Sequence, residues 1–202
     1  MKKMVFASVL LVLMGFLSPT ALLSKKERKS AINYLDETRV ALLKSIEGLS
    51  EPQLNYKPPP DRWSIRECMQ HIALAETGLW ESLQTTLKEK ANPGKRAQIK
   101  VSDQEIIKMI TNRTVKAQAP EPLKPGNHKF YAVEDALTAF RYQRADIIKF
   151  IRATKEDMRN HVVATPIGSI DAYQMVLFIA AHSSRHTEQI NEIKKDPGFP
   201  KQ

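Results

Sequence analysis

Apolar residues recur in this chain at helical spacing, in long stretches set apart by breakers. Ile32, Leu35, Leu42, Ile46 and Leu49 follow one another at steps of three, four and seven, behind a Ser24 to Glu27 capping-box pattern. This predicts an amphipathic helix to about Leu49. Ser50-Glu51-Pro52-Gln53 then opens a short turn, and Pro58-Pro59-Pro60 enforces an extended crossing. A second capping box, Ser64 to Glu67, starts a helix that carries His71 on its apolar face and runs to about Lys88, before Asn92-Pro93-Gly94. The third helix is expected from about Val133 to Ala153, with Val133, Leu137, Phe140, Ile147 and Ile151 inward and Glu134 and Asp135 at its positive end. The fourth is expected behind a Ser169 cap and ends at Lys194-Lys195, ahead of Pro197 and Gly198.

Between the second and third helices, residues 91 to 130 are rich in proline, glycine, lysine and asparagine, with one short helix expected from Ser102 to about Thr111. No segment alternates as a strand does, and neither an internal repeat nor a second domain is visible. The pattern predicts an all-α fold: a four-helix bundle whose long connector between helices two and three contains a short extra helix.

At the N-terminus, Lys2 and Lys3 precede an apolar run from Met4 to Leu17 and then Ser18-Pro19-Thr20-Ala21. That order is the one found in secretory signal peptides, and the run is shorter than the ~20 residues a spanning helix needs. Residues 1–21 are therefore expected to be a signal peptide and residues 22–202 the bundle domain, exported to the bacterial periplasm. The alternative is a membrane tether through an uncleaved N-terminal segment. The net charge of +9 comes from basic residues scattered among acids rather than clustered with aromatics. With export, this argues against a nucleic-acid partner, and no membrane association is expected once the leader is gone. A homodimer is an option, although no apolar stripe is clearly left over.

Candidate chemistry centres on Ala181-His182-Ser183-Ser184-Arg185-His186, where two histidines four residues apart interrupt an apolar helix. At that spacing both imidazoles leave one helix face with Cβ atoms roughly 5–6 Å apart, so both can converge on one metal ion. Ser183 follows His182, so the pattern lacks the glutamate of the His-Glu-x-x-His proteases. Two ligands leave a metal underligated, and a third must come from elsewhere. Of the other three histidines, His71 stands in a helix on an apolar face, whereas His128 and His161 fall in loops. His71 is the preferred third ligand and His161 the fallback. Cys68 is the only cysteine; it excludes an intrachain disulfide, and Ile65, Met69 and Ile72 around it favour a packed core residue over a soft ligand. Ala75 and Gly78 lie above His71 on the same face and would either leave space over the ring or allow close helix packing. Glu67 and Gln189 are candidates for orienting the rings, with capping as the competing role for Glu67. Glu76 and Arg185 lie off the ligand face and receive no catalytic role.

Trp63-Ser64-Ile65-Arg66-Glu67, His71-Ile72 with Glu76, and Ala181-His182-Ser183-Ser184-Arg185-His186-Thr187-Glu188-Gln189-Ile190 together resemble the hallmark segments of the DinB/YfiT-like metalloenzyme family. The resemblance covers about Ser24 to Pro197. It implies a four-helix bundle of unusual connectivity holding a divalent metal through His71, His182 and His186. Relatives include bacillithiol-dependent S-transferases, a mycothiol-dependent isomerase and the iron-binding bundle of ergothioneine sulfoxide synthases; many members have no assigned reaction, so fold carries over further than chemistry.

Three neutral imidazoles leave coordination positions open. Water taken up there would be acidified toward neutrality, and a thiol would become a thiolate. Histidine ligation suits zinc, nickel or iron alike. The expectation is a metal-dependent hydrolase acting on a small molecule. The alternatives are a bacillithiol-type S-transferase, which export disfavours, and a non-catalytic metal- or ligand-binding bundle.

Overall fold

The computed structural model describes residues 22–201 apart from 59–61, 117, 126–129 and 131. The leader segment, Pro59, Pro60 and His128 lie outside the described residues. Six α-helices follow in order: α1 (Lys25–Ile46), α2 (Glu51–Asn55), α3 (Ile65–Lys88), α4 (Asp103–Thr111), α5 (Val133–Ala153) and α6 (Ala172–Lys194). Two 3-10 turns, Pro93–Gln98 and Glu121–Leu123, punctuate the connector on either side of α4. None of the described helices is long and apolar enough to cross a membrane.

Helices α1, α3, α5 and α6 form a four-helix bundle with a short β-hairpin appended. Helix α1 packs on α5 and α6, and α3 packs on the same two, so α1 and α3 lie diagonally opposite each other although they follow one another in the bundle. Helices α5 and α6 form the other diagonal, and α4 lies against the outside of α6. The capping serines act as the sequence suggests. Ser24, Ser64 and Ser102 each accept from the backbone N–H three residues on and receive the reciprocal glutamate, which satisfies two exposed donors at each helix start.

The segment before α6 differs from expectation. Val162–Thr165 (β1) and Gly168–Asp171 (β2) pair as an antiparallel hairpin, with Val162 opposite Asp171 and Thr165 opposite Gly168. Gly168 has φ +109°, a conformation open to glycine and strained for other residues. Ser169 consequently pairs with Ala164 in the hairpin, and Asp171 caps α6 by accepting from Gln174 N at 2.8 Å. Strands of four residues are too short for alternation to separate them from a loop.

The apolar interior falls into two clusters. One gathers Leu35, Leu83, Ile147, Ile151 and the first half of α6; the other gathers Leu42, Ile65, Cys68, Ile72, Phe140 and Ile190. Between them lies a buried polar layer to which each bundle helix contributes one side chain: Thr38, Glu76, Arg144 and Ser183. The three helical histidines lie on the α3 and α6 sides of this layer.

Candidate metal centre

His71 sits in the second turn of α3, where the Ser64 cap fixes the helix start and the run Cys68, Met69, Ile72 holds one face in the core. His182 and His186 leave the same face of α6, one turn apart. His71 and His186 are buried, at 3% and 7% exposure, and His182 is partly exposed. One nitrogen from each ring can be chosen so that all three lie within 4.8 Å of one another. The structure thus brings His71, His182 and His186 into one cluster.

The hydrogen bonds around the rings decide which nitrogens face inward. His71 Nδ1 lies 2.8 Å from Leu123 O, and His186 Nδ1 lies 2.9 Å from Gln189 Oε1. Both partners are acceptors, so both Nδ1 atoms carry the proton and both Nε2 atoms are left with a lone pair. His71 Nε2 in turn faces His182 Nε2 at 3.2 Å. At that distance His182 Nε2 can donate to the His71 lone pair, a place that a cation would take instead, and the donor set, three imidazoles with acceptors behind two of them, is one that binds zinc, nickel or iron.

Burial keeps the rings neutral. It lowers His71, with the Leu123 carbonyl opposing, and pushes His182 down to about 3, helped by His71 and by the Arg185 charge. Burial likewise lowers His186 well below the ordinary histidine value, with His182 and His71 adding to the effect and the Gln189 bond opposing it. Neutral imidazole is the ligating form.

Aromatic rings wall the cluster. The Trp63 indole lies 4.8 Å from the His71 ring and 6.0 Å, nearly parallel, from that of His186; Phe178 stacks on His182 at 6.2 Å. From the connector, Arg113 reaches α6, pairing through Nη2 with Glu192 at 2.7 Å and placing Nη1 3.5 Å from Gln189 Oε1.

Other candidates lie elsewhere. His161 is buried behind the hairpin, with its nitrogens against Asp157 O at 2.7 Å and Glu89 O at 3.0 Å. It is fixed there as a packing residue, outside the cluster. Cys68 is fully buried, and burial pushes its thiol far up, as suits a core residue. Glu67, a candidate for orienting a ring, does not do so: its oxygens accept from Ser64 N at 2.7 Å and Lys57 Nζ at 2.7 Å, while His71 turns to Leu123. The capping geometry fixes that carboxylate at the helix start. Gln189 does meet a ring. Gly78 is exposed, with nothing within 4 Å of where a Cβ would stand, so it neither lines space over His71 nor marks close packing. Arg185 donates to the carbonyls of Ile110, Asn112 and Val115, fastening the end of α4 to α6.

Sequence reasoning did not find Leu123 or Arg113. A carbonyl carries no residue-type signal, and an arginine in a connector is indistinguishable from a solvated one. Trp63 enters the sequence reading only as part of a motif; its place one residue before the Ser64 cap is the signal that its ring lies beside the site.

The fold agrees with comparisons to known proteins. The DinB superfamily pattern matches residues 34–190, a span that takes in all three histidines. The uncharacterized protein YuaE of Bacillus subtilis (strain 168) is 28% identical over 165 residues, which is 81% of this chain and 97% of YuaE. YfiT from Bacillus subtilis, described as a probable metal-dependent hydrolase with an unusual four-helix bundle topology, aligns with a TM-score of 0.60 over 93% of this chain and 97% of its own, at 16% identity. At that identity the likeness bears on the fold. By the span of the family pattern and the bundle that carries it, this chain belongs to the DinB superfamily.

Proposed function

We propose that the chain is a metal-dependent hydrolase in which His71, His182 and His186 hold one divalent ion. The observation that carries this reading is the convergence of three neutral imidazoles from two helices, with acceptors behind two of them that free both Nε2 lone pairs. A divalent ion bound there supplies Lewis acidity, polarising a carbonyl or phosphoryl oxygen and acidifying water.

The chain's own residues hold and shape the site. Leu123 O and Gln189 Oε1 fix two tautomers. Trp63 and Phe178 offer apolar faces against which a small substrate can lie, and they limit water access. The neighbouring carboxylates are already engaged: Glu76 with Arg144, Glu192 with Arg113 and Glu67 with Ser64 and Lys57. Among the described residues this favours solvent as the source of the nucleophile, that is, direct attack by water rather than by a side-chain carboxylate. The description of YfiT as a probable metal-dependent hydrolase supports the same reading. Export, supported by the Lys2 to Ala21 pattern, would separate the site from cytoplasmic thiol cosubstrates.

The test is elemental analysis of untagged protein purified without chelator, beside a His182→Ala/His186→Ala variant, followed by a panel of esters, amides and phosphoesters. About one metal per chain is expected, lost in the variant, with turnover only in the loaded wild type. Absence of metal from both proteins, with added zinc, nickel and iron failing to bind, would overturn the reading. Stoichiometric metal without turnover on any substrate would favour a metal-binding bundle without catalysis.

A further inference from the structure

We infer that Arg113, supplied by the connector, is a positioning residue for the metal centre: it sets the rotamer of the Gln189 amide and through it the tautomer of His186. The inference rests on the metal-binding reading above. Its physical basis is that a side-chain amide has two nearly isosteric ends, an acceptor oxygen and a donor nitrogen, and can present either. At Gln189 the oxygen faces both His186 Nδ1, at 2.9 Å, and Arg113 Nη1, at 3.5 Å.

The second contact is long for a hydrogen bond, so its effect is that of a cation beside a dipole. Turning the amide over would set an NH2 group against the guanidinium, donor against donor. The guanidinium is itself held. Its Nε and Nη2 clasp the two oxygens of Glu192, at 3.1 and 2.7 Å. Asn112 Oδ1 accepts from Thr114 N and Oγ1, shaping the turn from which Arg113 projects, and Arg185 grips the carbonyls of Ile110, Asn112 and Val115 around it.

The consequence reaches the ligand atom. With the amide oxygen toward His186, the ring carries its proton on Nδ1 and offers Nε2 to the cluster. With the amide nitrogen toward it, Nδ1 becomes the acceptor and Nε2 takes the proton, a form that cannot ligate. The cation that faces the Gln189 oxygen comes from the connector, not from α6. Arg113 makes the choice, so the long connector takes part in the metal centre although it carries none of the three ligands.

The test is a double-mutant cycle of Arg113→Met and Gln189→Glu, because a carboxylate presents an acceptor in either orientation and makes the arginine dispensable. Two measurements are made on each protein: long-range proton–nitrogen NMR of labelled histidines in chelated protein, and zinc affinity by competition with a chromophoric chelator. Chelated wild type is expected to show His186 as the Nδ1–H tautomer. Arg113→Met is expected to add the Nε2–H form and to weaken zinc binding about 10-fold or more. In the Gln189→Glu background the same change is expected to have less than about a twofold effect.

The sign of the change separates this role from simple electrostatics. Removing a cation and freeing Glu192 near a dication would by charge alone tighten zinc binding. An unchanged tautomer, unchanged or tighter binding in Arg113→Met, or a loss that persists in the Gln189→Glu background would each overturn the proposal, the last assigning Arg113 to fastening α4. Should wild type bind none of zinc, nickel and iron, the hydrolase reading falls, and the tautomer measurement in chelated protein still decides what Arg113 does.

Discussion

Arg144 is fully buried at the centre of the bundle, and every direction its guanidinium points is answered. Nε and Nη2 pair with both oxygens of Glu76 at 2.7 Å, Nη1 donates to Leu35 O and Thr38 Oγ1 at 2.7 Å, and Nη2 also reaches Ser183 Oγ at 2.9 Å. One arginine of α5 therefore ties all four bundle helices at the level where the two apolar clusters meet, its partner on α6 being Ser183, the residue after His182. A bidentate fork suits this place, and lysine would not substitute for it. Truncating one partner of a buried pair strands the other, which typically costs about 3–5 kcal/mol, whereas replacing both with apolar groups is far milder. Arg144→Met should accordingly lose about that much in urea denaturation at pH 7. Arg144→Met/Glu76→Leu should recover at least about 2 kcal/mol of it; additive losses in the double variant would show that the pair is not the coupled unit described. Sequence reading set Glu76 aside because it lies off the histidine face, and it missed Arg144. The signal was present: Arg144 occupies an inward step between Phe140 and Ile147, and a charge inside an apolar stripe requires a partner.

At the scale of elements, the loop before the hairpin acts as a clamp on helix starts. Arg159 pairs with Glu27 at 2.8 Å, Asp103 at 2.7 Å and Asp171 at 3.0 Å, and its guanidinium lies 4.1 Å over the Tyr173 ring. These acids belong to the first turn of α1, the first residue of α4 and the cap of α6, where a negative charge also complements the helix dipole. Burial raises Asp171 while Arg159 opposes the shift, so this cation, with Arg96 Nη1 3.5 Å from Asp171 Oδ2, offsets the crowding of three carboxylates. Arg159→Met should destabilise the protein by about 2–4 kcal/mol at pH 8 and by clearly less at pH 5. The sign follows from linkage: without the arginine, burial holds Asp171 further above its unfolded pKa, so the stability it contributes is retained below the unfolded value and lost as pH rises. A loss independent of pH, measured by thermal melts at both values, would place the effect in packing on Tyr173 instead. The long helices were legible because capping boxes and apolar periodicity agreed for α1 and α3, and periodicity alone sufficed for α5. The hairpin was not legible, since Ser169 and Asp171 are both capping residue types two positions apart and only the pairing of Ala164 with Ser169 decides between them.

For the molecule as a whole, the histidine cluster joins two helices through rings that burial keeps neutral, so stability should depend on pH and, on the proposed reading, on metal. The connector's contribution, invisible in residue types, enters through Leu123 O and Arg113, whereas the three histidines were legible from spacing and apolar setting. In chelated protein, His182 is pushed down to about 3 and His71 and His186 are also lowered, chiefly by burial. In the unfolded chain these rings titrate near the ordinary value of about 6.5. Below that pH the unfolded state therefore binds more protons than the folded one, and stability falls as pH falls toward the depressed values. Bound metal blocks the same nitrogens and acts in the opposite sense, adding about 2.7 kcal/mol at a hundredfold excess over Kd, or roughly 5–10 °C in Tm for a chain of this size. Chelated wild type should thus lose Tm steadily from pH 7 to pH 5, and metal-loaded protein should hold its Tm further down before protons displace the ion. A His182→Ala/His186→Ala variant should show a flatter profile over the same range and no response to metal. If chelated wild type and variant were to fall in parallel, the acid sensitivity would belong to other groups and the three rings would not be the neutral set that the proposed metal centre requires.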